Sequence, residues 1–136
     1  MTNQANSKLT LTRNQALVLK TLEAAGGPLT AYNILDRLTD EGLRAPPQVY
    51  RALEKLLACG TVHRLESLNA FVACSHPGCQ EHATVAFTIC EDCGQVTELA
   101  DGGLASTLRK LTSSTGFSPR KTTIEIRGLC DSCSDR

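Results

Sequence analysis

Apolar residues first recur at helical spacing, with Leu17, Val18, Leu22 and Ala25 along one side of a segment opened by Thr12. Thr12 and Gln15, three residues apart, form the capping-box pattern that satisfies the free amides of a helix start. Gly26-Gly27-Pro28 ends this helix. Thr30 opens a second helix with Tyr32, Ile34, Leu35 and Leu38 on its apolar face, closing near Gly42. Pro46-Pro47 starts a third, because proline at the first helical position gives up an amide that has no intrahelical partner. Val49, Leu53, Leu56 and Leu57 form its apolar stripe, Tyr50, Arg51, Glu54 and Lys55 take the other side, and Gly60 follows its end near Cys59.

The period then changes from helix to strand. Residues 62–65 and 70–73, joined through Ser67-Leu68-Asn69, predict a hairpin. A two-residue turn at Leu68-Asn69 places Ser67 opposite Ala70, Leu65 opposite Val72 and His63 opposite Cys74, although Leu-Asn is not a favoured hairpin turn. Three short helices and a hairpin are the order of a winged helix-turn-helix, whose third helix can enter a DNA major groove. Any small helical domain with a hairpin shares that order. Pro77, Gly78 and two histidines then mark residues 75–82 as a linker or ligand-bearing loop. Strands at 84–89 and 96–99, a helix at 104–115 and a strand at 121–127 complete an α+β chain. The expected division is a winged-helix domain over 1–74, a hinge over 75–82 and a small α/β domain over 83–136.

Charge adds little. Across 136 residues, 14 basic side chains balance 14 acidic ones. Dividing the chain after Ser75 leaves the first half at +2 and the second at −2, so only the first half suits a phosphate-facing surface. With no Trp, two Tyr and three Phe, the cores rest on aliphatic residues, and small aromatic-poor domains benefit from a staple. Seven cysteines, an odd count, behind a polar stretch at residues 1–8 argue against a secreted disulfide framework and for a reducing cytoplasm. No apolar run approaches the ~20 residues of a membrane span, so no membrane partner is expected.

The cysteine spacing supplies a staple. Cys90-Glu91-Asp92-Cys93-Gly94 and Cys130-Asp131-Ser132-Cys133 are two CxxC turns separated by 36 residues. Each presents two sulfurs to one ion, and zinc accepts four thiolates tetrahedrally without redox chemistry. The expectation is a structural zinc on Cys90, Cys93, Cys130 and Cys133 that ties the ends of the second domain together. A zinc deaminase requires His-x-Glu and Pro-Cys-x-x-Cys, neither of which occurs. A thioredoxin-like enzyme places its CxxC at a strand-to-helix junction, whereas both pairs here follow strands, so CxxC redox chemistry is a minor alternative and no organic substrate is expected.

The remaining metal-ligand types cluster: His63, Cys74, His76, Cys79 and His82 lie within twenty residues. Opposed Cβ atoms across a hairpin lie ~4.5–5.5 Å apart, which one zinc can bridge, so His63 and Cys74 can share an ion. His82 and Glu98 can complete a mixed site joining the two halves. The plainer reading makes His63 a strand residue, Cys74 a small core residue and Glu98 a solvated carboxylate. Cys59 fits the core, and His76 and Cys79 remain open as loop residues or alternative ligands.

Taken in order, Gln48-Val49-Tyr50-Arg51-Ala52-Leu53, Val62-His63-Arg64-Leu65-Glu66, Cys74, Cys90-Glu91-Asp92-Cys93-Gly94 and Glu125-Ile126-Arg127-Gly128-Leu129-Cys130 resemble the ferric uptake regulator family, most closely its zinc uptake branch. The resemblance runs from about Leu11 to Cys133. It implies a winged-helix DNA-binding domain, a dimerisation domain with the Cys₄ zinc, and a regulatory zinc on His63, Cys74, His82 and Glu98, hence two zinc ions per chain. It also implies a homodimer that binds a near-palindromic operator when loaded and represses zinc-uptake genes. Tyr50 and Arg51 fall on the recognition helix, and Arg13, Lys55 and Arg64 are further candidates for double-stranded DNA. Gln48 replaces the family's usual Thr, and the interval from His82 to Cys90 is about one residue long, which leaves His76 or Cys79 as substitutes for His82. The thiol at Cys74 and the missing His-rich cluster before Cys90 favour zinc over iron or manganese. A sensor of another metal or of peroxide is the alternative within the family.

Overall fold

The computed structural model describes residues 10–75, 84–99 and 102–134. The chain divides into two units, one ending at Cys74 and the other beginning at Ser75.

In the first unit, helix α1 (Arg13–Ala25) starts where Thr12 Oγ1 accepts the Gln15 amide at 3.2 Å and Gln15 Oε1 accepts the Thr12 amide at 3.0 Å. It ends at Gly26, whose φ of 68° suits a residue without a side chain. Helix α2 (Ala31–Leu38) repeats the reciprocal cap with Thr30 and Asn33. Its buried face is Ala31, Ile34 and Leu38, whereas Tyr32 is 61% exposed, contrary to expectation. In an eight-residue helix the stripe centred on Ile34 points Tyr32 outward.

Helix α3 (Pro46–Cys59) begins after Ala45, which has no side chain able to cap it. Gln48 takes that role from inside the first turn: its Oε1 accepts the Arg44 amide at 2.8 Å and the Ala45 amide at 3.1 Å. Val49, Ala52, Leu53 and Leu56 are buried, so Arg51, Glu54 and Lys55 face solvent, as does Tyr50 at 44% exposure. The core joins these residues to Val18, Leu22, Ile34, Leu38, Leu43, Val62 and Phe71.

Strands β1 (Val62–Leu65) and β2 (Ala70–Ala73) form the hairpin, but two residues out of the expected register. Leu65 pairs with Ala70 and His63 with Val72, leaving four residues in the turn. Leu68 donates to Leu65 O and Asn69 to Glu66 O, both at 3.2 Å, and Asn69 takes the left-handed conformation with φ 50°. The longer turn avoids forcing Leu68 to positive φ, as a two-residue primed turn would. Leu29 adds an unforeseen bridge to Phe71, with N–H···O bonds of 3.0 and 2.8 Å in the two directions. It lashes the α1–α2 connection to the hairpin and gives the wing a third edge.

In the second unit, β3 (Thr84–Cys90) is the middle of a three-stranded sheet. It runs antiparallel to β4 (Val96–Leu99) and parallel to β5 (Thr122–Gly128). Helix α4 (Gly102–Ser113) connects β4 to β5, and α5 (Asp131–Ser134) is one turn formed by the second CxxC, where no helix is expected from pattern. Val85, Ala86, Phe87, Ile89 and Cys90 bury both faces of β3, as suits a central strand. In contrast, α4 has no buried residue, and Leu99, Leu111, Phe117, Ile126 and Leu129 are exposed. This amount of uncovered apolar surface in a small unit is characteristic of an interaction face. No helix among the described residues is long and apolar enough to cross a membrane.

Candidate metal centres

Parallel pairing of β3 with β5 continues to Cys90 opposite Gly128, so the two CxxC turns leave neighbouring strands at the same end of the sheet. Two backbone bonds hold the first knuckle: Cys90 N–H donates to Gln95 O at 2.9 Å, and Gly94 N–H to Cys90 O at 3.0 Å. Gly94 has φ 82°, a reversal that a side chain would strain. Glu91 N–H reaches Gly128 O at 2.8 Å and joins the knuckle to β5. In the second knuckle Cys133 and Ser134 donate to Cys130 O at 3.0 and 2.8 Å, which makes that CxxC a helical turn.

The four sulfurs of Cys90, Cys93, Cys130 and Cys133 all lie within 4.8 Å of one another. Cys93 Sγ and Cys130 Sγ are 3.7 Å apart. Zinc–sulfur bonds of ~2.3 Å at a tetrahedral angle require ~3.8 Å between sulfurs, so this edge already has the zinc value. Cys90 Sγ accepts the Cys93 amide at 3.5 Å and the Cys130 amide at 3.3 Å. These bonds, that from Cys93 first, lower its pKa to about 6 and favour the thiolate at neutral pH. Cys93 gains an N–H from Gln95 that favours its thiolate, yet the neighbouring Cys90 and Cys130 sulfurs raise it overall. The Cys130 sulfur and then burial push Cys133 far up. Four crowded sulfurs of which one ionises readily and others resist are a donor set completed by a cation, and the cluster has the chemistry of a structural zinc site.

In the first unit His63 and Cys74 converge, though not as a directly opposed pair. His63 faces Val72, and Cys74 lies two residues further along the same face, its N–H donating to Thr61 O at 2.8 Å so that the ladder continues past β2. The imidazole and the Cys74 sulfur offer ligand atoms within 4.8 Å, a diagonal contact in place of the expected direct one. His63 is only 5% exposed, the one buried polar side chain among the described residues. Leu65 beside it on β1 is fully buried, so His63 occupies a position where an aliphatic residue is the usual occupant.

In the second unit Glu98, on β4, accepts at Oε1 from the backbone amide of Ser75 at 3.0 Å and from Ser75 Oγ at 3.1 Å. Ser75 follows Cys74 directly in the chain, a partnership that no spacing rule reveals. His82, His76 and Cys79 lie outside the described residues.

The candidate DNA-facing side chains differ in freedom. Tyr50, Arg51 and Lys55 extend from α3. Arg13 donates to Glu41 O at 2.9 Å and pairs with its carboxylate at 3.5 Å, bracing α1 against the turn after α2. Arg64, on β1, bonds Asn69 Oδ1 at 3.0 Å and lies 3.8 Å from Glu66, so the wing tip holds it. Gln48 escapes sequence reasoning as a cap, although glutamine three residues after the position preceding Pro46 carries the signal.

The description "Ferric uptake regulator family" belongs to the family whose sequence pattern matches residues 4–127. The zinc uptake regulation protein of Escherichia coli (strain K12) is 40% identical over 131 residues, covering 96% of this chain and 75% of that protein. A crystal structure of holo XcZur superposes with a TM-score of 0.83 at 43% identity, covering 93% of this chain and 87% of the other. A zinc uptake regulator complexed with zinc and DNA gives 0.81 at 37% identity, with coverage of 91% and 83%.

Proposed function

Because the chain belongs to the ferric uptake regulator family, we propose that it is a zinc-responsive transcriptional repressor, a homodimer that binds near-palindromic operator DNA when zinc-loaded and represses zinc-uptake genes. The observation that carries the choice of ion is the Cys74 sulfur, disulfide-bonded in this structure and a thiol once reduced, beside the buried His63. A thiol with an imidazole suits zinc, whereas iron and manganese favour harder donor sets.

In this reading residues 1–74 bind DNA, 75–82 form the hinge and 83–136 dimerise. Cys90, Cys93, Cys130 and Cys133 hold a structural ion, and His63, Cys74, His82 and Glu98 a regulatory one, two zinc ions per chain. Zinc, when bound, supplies a redox-inert tetrahedral tie among side chains from different segments. Everything else falls to the protein. The β3–β5 pairing holds the four thiolates together, and the exposed Leu99, Leu111, Phe117, Ile126 and Leu129 offer apolar surface for a second copy. The Gln48 cap fixes the start of α3, from which Tyr50, Arg51 and Lys55 reach base edges or phosphates, with Arg13 and Arg64 on flanking elements. Two-fold symmetry then demands inverted half-sites. No step requires catalysis, and the cytoplasm is the compartment in which operator DNA and reduced thiols coexist.

The test is electrophoretic retardation of operator DNA by the purified dimer, titrated separately with zinc, iron, manganese and peroxide. Zinc alone should produce the shift at buffered low concentrations. Cys74→Ser should lose the zinc-dependent shift while remaining a folded dimer with about one zinc per chain. A shift driven by iron, manganese or peroxide overturns the zinc reading, and an unchanged zinc response of Cys74→Ser removes Cys74 from the regulatory site.

A further inference from the structure

The Glu98 carboxylate is fastened before any ion is considered. Both Ser75 bonds, one from the main chain and one from the hydroxyl, fall on the same oxygen, Oε1, at 3.0 and 3.1 Å. Two donors on one oxygen fix both the position of the carboxylate and its rotation about the terminal torsion, which is otherwise broad. The donor residue is the immediate neighbour of Cys74, whose own amide is tied to Thr61 O at 2.8 Å. One short stretch of backbone therefore carries a sulfur that can serve as a ligand when reduced and, at the next residue, the group that aims a carboxylate.

We propose that Ser75 is a positioning residue for the regulatory zinc site: its hydroxyl orients Glu98 as a ligand and so raises the affinity of the site without touching the ion. The inference rests on the assignment of Glu98 to that site. Ligating carboxylates are generally held by such outer hydrogen bonds, whose loss costs ~10–100-fold in metal affinity. The backbone amide of Ser75 survives substitution of the side chain, so the expected loss sits at the lower end. Ser75 is exposed and its hydroxyl packs in no core, which separates this role from a contribution to folding.

The experiment uses the full-length dimer in five forms: wild type, Ser75→Ala, Ser75→Thr, Glu98→Ala, and Ser75→Ala with Glu98→Ala. Zinc affinity of the labile site is measured by competition with a chromophoric chelator, and metal analysis confirms that the Cys₄ zinc is retained. Ser75→Ala should weaken the labile site ~10-fold, and Ser75→Thr, which keeps the hydroxyl, should stay within ~3-fold of wild type. With Glu98 truncated, Ser75 has no carboxylate to aim, so the double variant should bind no more weakly than Glu98→Ala alone. Wild-type affinity in Ser75→Ala, or a Ser75→Ala loss that persists undiminished on the Glu98→Ala background, overturns the positioning role. Wild-type affinity in Glu98→Ala is a different failure, since it removes Glu98 from the site and takes the inference with it.

Discussion

Replacing Cys90 by serine tests whether the sulfur cluster acts as a metal site or as ordinary packing. Its sulfur accepts two amides from the knuckles and sits at the end of the β3–β5 ladder, so serine keeps a hydrogen-bond acceptor but removes the readiest thiolate. Structural zinc in small Cys-rich domains binds with ~10–16 kcal/mol of apparent free energy, or roughly 3 kcal/mol for each of four ligands, about a hundredfold in affinity. With zinc in large excess, that loss passes directly into the stability of the folded unit, because the unfolded chain has no preformed site. For a unit of about 60 residues, 1 kcal/mol corresponds to ~4–8 °C in Tm, so the second unit should melt at least ~10 °C lower in the variant. The assay is differential scanning calorimetry at one protein concentration, with excess zinc and again after exhaustive chelation. In chelator the two proteins should converge to within a few degrees, since both then lack the ion. A gap of undiminished size after chelation would show that Cys90 acts through packing, and equal melting in excess zinc would remove it from the ligand set.

Gln48→Ala deletes the acceptor that serves the Arg44 and Ala45 amides, and cap losses of this kind cost ~1 kcal/mol, so the first unit should melt ~4–8 °C lower and an unshifted transition would refute the cap. Lys55→Ala should weaken operator and non-specific DNA by a similar factor and reduce the slope of log K against log salt by about one, as measured by retardation across a salt series. A change confined to one operator position would mark Lys55 as a base reader instead.

The helices were legible because their signals are local. Thr12 with Gln15, Gly26, Pro46 and Gly60 each carry a physical reason for a start or a stop, and the structure places α1 between the first and second of these signals and α3 between the last two. Register was less legible. Hairpin pairing depends on the turn, and a Leu-Asn pair that resists positive φ at both positions settles into a four-residue turn, moving His63 from Cys74 to Val72. The Leu29–Phe71 bridge was invisible because one paired residue between Pro28 and Thr30 has no periodicity. The four-cysteine cluster was readable from spacing alone. Its cause was not: the parallel pairing of β3 and β5 is a long-range contact across an intervening helix, and no local pattern announces which strands become neighbours. Tyr32 shows the opposite error, since an apolar ring at plausible spacing lies on the solvent side of a short helix. The Ser75–Glu98 bonds join residues 23 apart through a hydroxyl with no distinguishing context.

The hairpin register has a consequence for how such a wing can vary. Side chains alternate faces along a strand, so a slip of two residues leaves His63 and Cys74 on one side, and the two still meet diagonally. A slip of one would send them to opposite sides. What must be kept in this wing is therefore the parity of the strand pairing and not the size of the tip: residues added within the turn can leave the imidazole and the sulfur facing the same way, whereas a one-residue shift of the pairing separates them.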